Sequence, residues 1–302
     1  MKKFLGYLCF AVAFLSAPHA EAAINIFACE PEWASLAQEI GGDKVNVKSA
    51  TTAQQDVHHI QARPSLLAAM RQSDLVFCTG AELEIGWLPL LLTQAGNSKV
   101  QSGSDGWLMA SDYVQRLEVP ARLDRANGDV HPMGNPHIQM DPRNIAIVAK
   151  ALAQRLNTID PANAPYYSKR YADFSTRWQA AMARWNTEIA SLRGTPIAVQ
   201  HRCWSYLINW MGLTMVTTLE PKPGIPPTSR HLAQVLEKLK IQPVKAVLYA
   251  AYEGDNGVIW LSDKAGIPAI QLPFTVGGNA QSKDLFGLYD STIAMLKARI
   301  KP

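Results

Sequence analysis

The stretch PANAPYYSKRYADFSTRWQAAMARWNTEIASLR, Pro161–Arg193, decides how this chain is organised. It contains no glycine, and its prolines stand only near the start. Apolar positions fall at Tyr167, Tyr171, Phe174, Trp178, Ala181, Trp185, Ile189 and Leu192, always three or four apart. That spacing draws one continuous stripe along a helix packed on a single side. Asp160-Pro161 supplies a cap and a first turn, and Gly194-Thr195-Pro196 supplies a stop. At 1.5 Å per residue such a helix spans about 45 Å, the length of a two-lobed protein. A coiled-coil dimer would need a longer seam with fewer aromatics, so the helix is expected to pack within a monomer.

On both sides of this helix the chain alternates short β-type runs with helical patterns. Upstream the runs are Ile24–Cys29, Val45–Thr51 and Leu75–Thr79, with helices expected at Glu32–Ile40, Pro64–Arg71 and Glu82–Ala95. Downstream the runs are Ile197–Gln200, Thr214–Leu219, Ala246–Ala250 and Ala269–Leu272. Strands alternating with helices make βαβ units and mostly parallel sheets. The expected fold is α/β, with two lobes, each a mostly parallel sheet flanked by helices, joined by one long rigid backbone helix. The expected divisions are a signal peptide over 1–22, a first lobe over 23–157, the connecting helix over 158–194 and a second lobe over 195–302.

The composition agrees with two lobes and narrows the class. A length of 302 residues fits about two domains, and an apolar fraction of 48% against 18% charged supplies ample core. The net charge of +4 is not gathered into runs, so no nucleic-acid partner is expected. Residues 1–22 carry Lys2 and Lys3, an apolar run from Phe4 to Ala17, and Ala20-Glu21-Ala22. That is the grammar of an export signal cleaved after Ala22. No lipobox surrounds Cys9, and the apolar run is short for a membrane span. A soluble periplasmic protein is expected.

Export places Cys29, Cys78 and Cys203 in an oxidising compartment, where one pair should bridge. Cys29 and Cys78 each end a strand-like run. If those strands are neighbours in a parallel sheet, the two residues stand about 5 Å apart, within disulfide reach. The expected bridge is Cys29–Cys78, with Cys203 free.

Seven histidines are an ordinary number, so their positions carry the information. His58 and His59 follow the second strand, His137 precedes a helix, and His201 directly follows the strand Ile197–Gln200. Ligands of open α/β sheets collect beyond the carboxyl ends of strands. Three loops from both lobes therefore bring imidazole to one crevice, and three imidazoles plus an oxygen ligand make an ordinary zinc site. His231 reads as a surface residue at a helix start. His131, six residues before His137, could reach the metal from its loop.

These contexts resemble the metal-binding solute receptors of bacterial ABC importers, the zinc/manganese cluster. Asp56-Val57-His58 followed by Pro64 is similar to that family's Asp-Pro-His element, and the distance to the proline favours His58 over His59. Pro136-His137-Ile138-Gln139-Met140-Asp141-Pro142 matches its Pro-His-x-x-x-Asp-Pro. His201, Trp204 and Tyr206 before Gly212-Leu213 match a third element, and the likeness covers essentially the whole mature chain. The resemblance implies a non-enzymatic receptor with His58, His137 and His201 as metal ligands. It also implies a membrane permease as partner, and a periplasmic metallochaperone is a further candidate. Two departures stand out. Val276 occupies the place of the family aspartate, which leaves water or Glu253 for the fourth position. The stretch 119–136 holds only His131, Asp124 and Asp129 where many zinc receptors carry a histidine-rich loop.

Manganese-type receptors carry a carboxylate at the third position, whereas His201 offers a softer nitrogen. Zn²⁺ is therefore the expected cargo over Mn²⁺. Asp56 and Asp141 are the candidate carboxylates for orienting the imidazoles. An exported zinc hydrolase is the alternative, since three histidines and a water also serve catalysis. Against it, the sequence holds no His-Glu-x-x-His and no Gly-x-Ser-x-Gly.

Overall fold

The computed structural model describes residues 23–122 and 131–300. The expected signal peptide and its cleavage site, together with Asp124 and Asp129, lie outside these residues. The first lobe holds the strands β1 (Ile24–Ala28), β2 (Val45–Ser49), β3 (Leu75–Cys78) and β4 (Trp107–Met109). The helices α1 (Pro31–Gly41), α2 (Pro64–Gln72) and α3 (Leu88–Ala95) connect or flank them. After α4 (Pro142–Ile159) and α5 (Ala164–Glu188), the second lobe holds β5 (Pro196–Val199), β6 (Thr214–Thr218), β7 (Val247–Ala250) and β8 (Ala269–Leu272). Its helices are α6 (Ser205–Met211), α7 (Ser229–Ile241), α8 (Asn256–Ala265) and α9 (Leu285–Arg299). The two sheets repeat one topology, β2-β1-β3-β4 and β6-β5-β7-β8, and every pairing within them is parallel.

The connecting helix forms where the apolar stripe requires it. Tyr167, Phe174, Trp178, Trp185, Ile189 and Leu192 are all buried. The indole N–H of Trp178 donates to the Pro142 carbonyl at 2.8 Å, and that of Trp185 to Asp290 Oδ1 at 2.6 Å. Its α-helical part is shorter than the stretch Pro161–Arg193, because Pro161–Asn163 and Ile189–Leu192 tighten into 3₁₀ turns. One apolar core runs from Ile26 and Leu75 in the first lobe, past Trp178 and Trp185, to Val199 and Leu248 in the second. Smaller cores cover the outer face of each sheet, around Phe27 and Leu91 in one lobe and Val247 and Leu261 in the other.

Two further features differ from the sequence expectations. The helix expected from Glu82 begins at Leu88. Gly80, Ala81 and Glu82 all have positive φ, at 78°, 52° and 66°, which winds the chain left-handed before the helix can start. The N–H groups of Thr79 and Gly80 there donate to the Glu84 carboxylate. β4 is only three residues long and pairs on one side, too short for an alternation pattern to register.

The register Ala28↔Phe77 sets the next residues, Cys29 and Cys78, side by side. They form the expected disulfide with a Cα–Cα distance of 4.8 Å, and Cys203 is free and buried.

The chain changes direction across each sheet at its β1 or β5 position, so a crevice opens beyond the carboxyl ends there. The segments that leave those ends carry Glu30, His58, Glu84 and His137 from the first lobe. From the second they carry His201, Glu220, Glu253 and Thr275.

Candidate metal centre

Four imidazoles meet in this crevice. The His58 ring lies 5.6 Å from His137, 6.3 Å from His201 and 5.2 Å from His131 between centroids. His137 and His201 are 5.9 Å apart, and His131 and His137 are 6.3 Å apart. Ring nitrogens of His58, His131 and His137 lie within 4.8 Å of one another. His59 is exposed at the cleft, with its ring 6.2 Å from His58. His231 sits at the first turn of α7, half-buried rather than on the surface, with its backbone N–H donating to Thr228 Oγ1.

Each ring is held by a different local device. Asp56 Oδ1 accepts from the backbone N–H of His58 at 3.0 Å and pairs with its Nδ1 at 2.7 Å. This short turn keeps the proton on Nδ1 and frees Nε2 for a metal. His201 leaves β5 and pairs through Nδ1 with Glu220 Oε2 at 2.6 Å. Glu220 follows β6, the strand that neighbours β5, and its Oε2 also accepts from the Gly224 N–H at 3.0 Å. His137 is placed through its backbone, whose N–H donates to Asn135 Oδ1 at 3.0 Å. Asn135 in turn donates to the Arg202 carbonyl at 2.9 Å, which couples the first-lobe segment to the one bearing His201.

His137 is 1% exposed, packs edge-on against Phe274, and neither ring nitrogen has a hydrogen-bond partner. An unpartnered buried polar group costs about 1–3 kcal/mol. A metal ion in the crevice would satisfy one of these nitrogens. Burial, then the neighbouring His58, His201 and His131, hold its pKa well below the ordinary imidazole value. The same causes, burial first and then His58 and His201, bring His131 down to about 4. Both rings therefore keep free lone pairs at neutral pH. Burial works against charge on His201, but the Glu220 hydrogen bond and the charges of Glu220, Glu253 and Asp56 leave its pKa raised. Binding a cation at its Nε2 displaces that extra proton.

The structure separates the remaining candidates. Asp141 does not orient an imidazole; it caps α4 through the Arg143 N–H and pairs with the Arg143 side chain. Its place immediately before Pro142, at a helix start, accounts for that. Glu253 lines the same cleft of about 690 Å³ as His58 and His201. However, its Oε2 accepts from the Ala250 N–H, and its Oε1 is sealed without a partner. Burial pushes its pKa up to about 7, which makes it a weak anionic ligand at neutral pH. The Val276 side chain packs against the core. Glu220 escaped the sequence reading, although a carboxylate directly after the strand run Thr214–Leu219 was the available signal.

The family model for the zinc-uptake complex component A, periplasmic, matches residues 26–299. The manganese ABC transporter substrate-binding lipoprotein PsaA of Streptococcus pneumoniae is 25% identical over 80% of this chain and 76% of its own length. The iron ABC transporter substrate-binding lipoprotein MtsA of Streptococcus pyogenes is 21% identical over the same shares, 80% and 76%. A crystal structure of ZnuA superposes with a TM-score of 0.73, covering 90% of this chain and 99% of that one at 19% identity, and shares the two-lobed fold. Nothing in these likenesses supports the hydrolase alternative. The matched model spans both lobes and every element that delivers a histidine to the crevice. The chain therefore belongs to the zinc-uptake complex component A family, exported substrate-binding receptors that serve metal ABC importers and are not enzymes.

Proposed function

We propose that this receptor captures Zn²⁺ on His58, His137 and His201 and delivers it, as a monomer, to the membrane permease of an ABC importer. The observation that carries the reading is the meeting of these three rings from both lobes, with His137 fully buried and neither of its nitrogens partnered. Neutral nitrogen donors suit zinc, while manganese sites draw more on oxygen. The carboxylates of Asp56 and Glu220 stand one hydrogen bond behind their imidazoles and offset the charge of the ion without binding it. The cleft of about 690 Å³ on one side and a smaller opening of about 90 Å³ beside His131, His137 and Arg202 give the ion routes in and out. The broad opening also leaves room for a periplasmic metallochaperone to approach.

The test is equilibrium dialysis of metal-stripped protein against Zn²⁺ and Mn²⁺, together with a variant carrying His58→Ala, His137→Ala and His201→Ala. One Zn²⁺ per chain is expected, retained against a large excess of Mn²⁺ and lost in the triple variant. Zinc retained by the triple variant, or displaced by comparable Mn²⁺, would refute the reading.

A further inference from the structure

We infer that His131 supplies the fourth ligand and closes a site made of four imidazoles; the inference rests on the receptor reading above. Its Nε2 lies 3.2 Å from Nε2 of His58. Two nitrogens bound to one tetrahedral zinc, each at about 2.0–2.1 Å, stand about 3.3–3.4 Å apart. The gap between these rings is thus already one edge of a zinc tetrahedron. His58 holds its proton at Nδ1 against Asp56, so its Nε2 lone pair points at the gap. The nitrogens of His58, His131 and His137 close one face, within 4.8 Å of one another, and His201 stands behind it at 5.9 Å from His137 and 6.3 Å from His58 between centroids. Imidazoles sharing one tetrahedral ion have centroids about 5 Å apart, so a small inward movement of His201 completes the set.

The other candidates for this position are otherwise engaged. Val276 has no donor, and Glu253 is bonded to the backbone of β7. His131 lines the small opening with His137 and His201, whereas Glu253 lines the larger cleft. An all-nitrogen site carries no ligand charge of its own. It therefore favours a borderline-soft cation over manganese and leaves no position for an activated water.

X-ray absorption at the zinc edge counts imidazoles through their outer-shell scattering. Zinc-loaded wild-type protein should show four. His131→Ala should keep one zinc per chain with three imidazoles and one oxygen, and bind it at least about tenfold more weakly, since even an outer partner is worth that much. Glu253→Gln should leave the spectrum unchanged. Three imidazoles and an oxygen in both wild type and His131→Ala would overturn the inference and leave the receptor reading intact. An oxygen ligand lost in Glu253→Gln would overturn it in favour of the glutamate. Wild-type protein that holds no stoichiometric zinc would remove the zinc reading itself, and this inference with it.

Discussion

Asp56 and Glu220 do the same work in opposite lobes. Each carboxylate holds Nδ1 of one imidazole, at 2.7 and 2.6 Å, and so presents Nε2 to the crevice. Losing such a partner costs about 10–100-fold in metal affinity. Asp56→Asn and Glu220→Gln should each weaken Zn²⁺ binding by that much while keeping one metal per chain, measured by competition with a chelating dye. At this scale the sequence was legible where a residue's role is local. His58, His137 and His201 follow strand ends or open a helix, and Asp56 lies two residues from the ring it holds. Glu220 acts across 19 residues, through the pairing of β5 with β6, and that distance hid it. Asp141 shows the converse, a carboxylate near a candidate ligand in sequence that caps its own helix.

Beneath the crevice, the segments leaving β1 and β3 bury Glu30, Glu32 and Glu84 together with Thr79. Burial first, then repulsion from Glu84 and Glu32, holds Glu30 well above the ordinary carboxylate range, and burial pushes Glu32 and Glu84 to about 7. Unfolding returns each acid to about 4.5. Between pH 4.5 and 7 the folded chain therefore holds protons that the unfolded chain has released. The stability from these acids is fully present below about pH 4.5 and is lost as pH rises through about 7. His137 and His131, with depressed values, act oppositely, and their contribution is lost on acidification below the ordinary imidazole range. In metal-free protein, Glu32→Gln should flatten the decline between pH 4.5 and 7, as read from urea midpoints. The disulfide closes a separation of 49 residues between β1 and β3, worth about 4 kcal/mol by loop entropy. Cys29→Ser with Cys78→Ser should lower the free energy of unfolding by about 2–4 kcal/mol. Regular elements were readable from periodicity, α5 most plainly. The late start of α3 was not, because three left-handed residues in a row are a backbone choice made by the Glu84 carboxylate, and two of them are not glycine.

The two lobes share one core along α5, and α9 returns from the second lobe to pack on α5 and α1. Tyr289 of α9 donates to the Gln139 carbonyl beside the histidine cluster, and Thr275 hydrogen-bonds Glu32 across the crevice. A hinge would have to break this shared packing, which is costly and offers no intermediate. Metal loading should therefore adjust side chains and loops, and small-angle scattering should give the same radius of gyration with and without Zn²⁺. A marked compaction would show that the lobes rotate. The two-lobed plan was legible because one uninterrupted stripe divides the sequence between two runs of βαβ grammar. The shared core was not, since nothing in a single strand's pattern says which helix from the far lobe will cover it. The most direct measurement is the metal content of the protein isolated from the extracytoplasmic compartment, beside the variant lacking His58, His137 and His201. One zinc per chain in the wild type and none in the variant is the expected result. Manganese or iron as the main metal, or zinc undiminished in the variant, would contradict it.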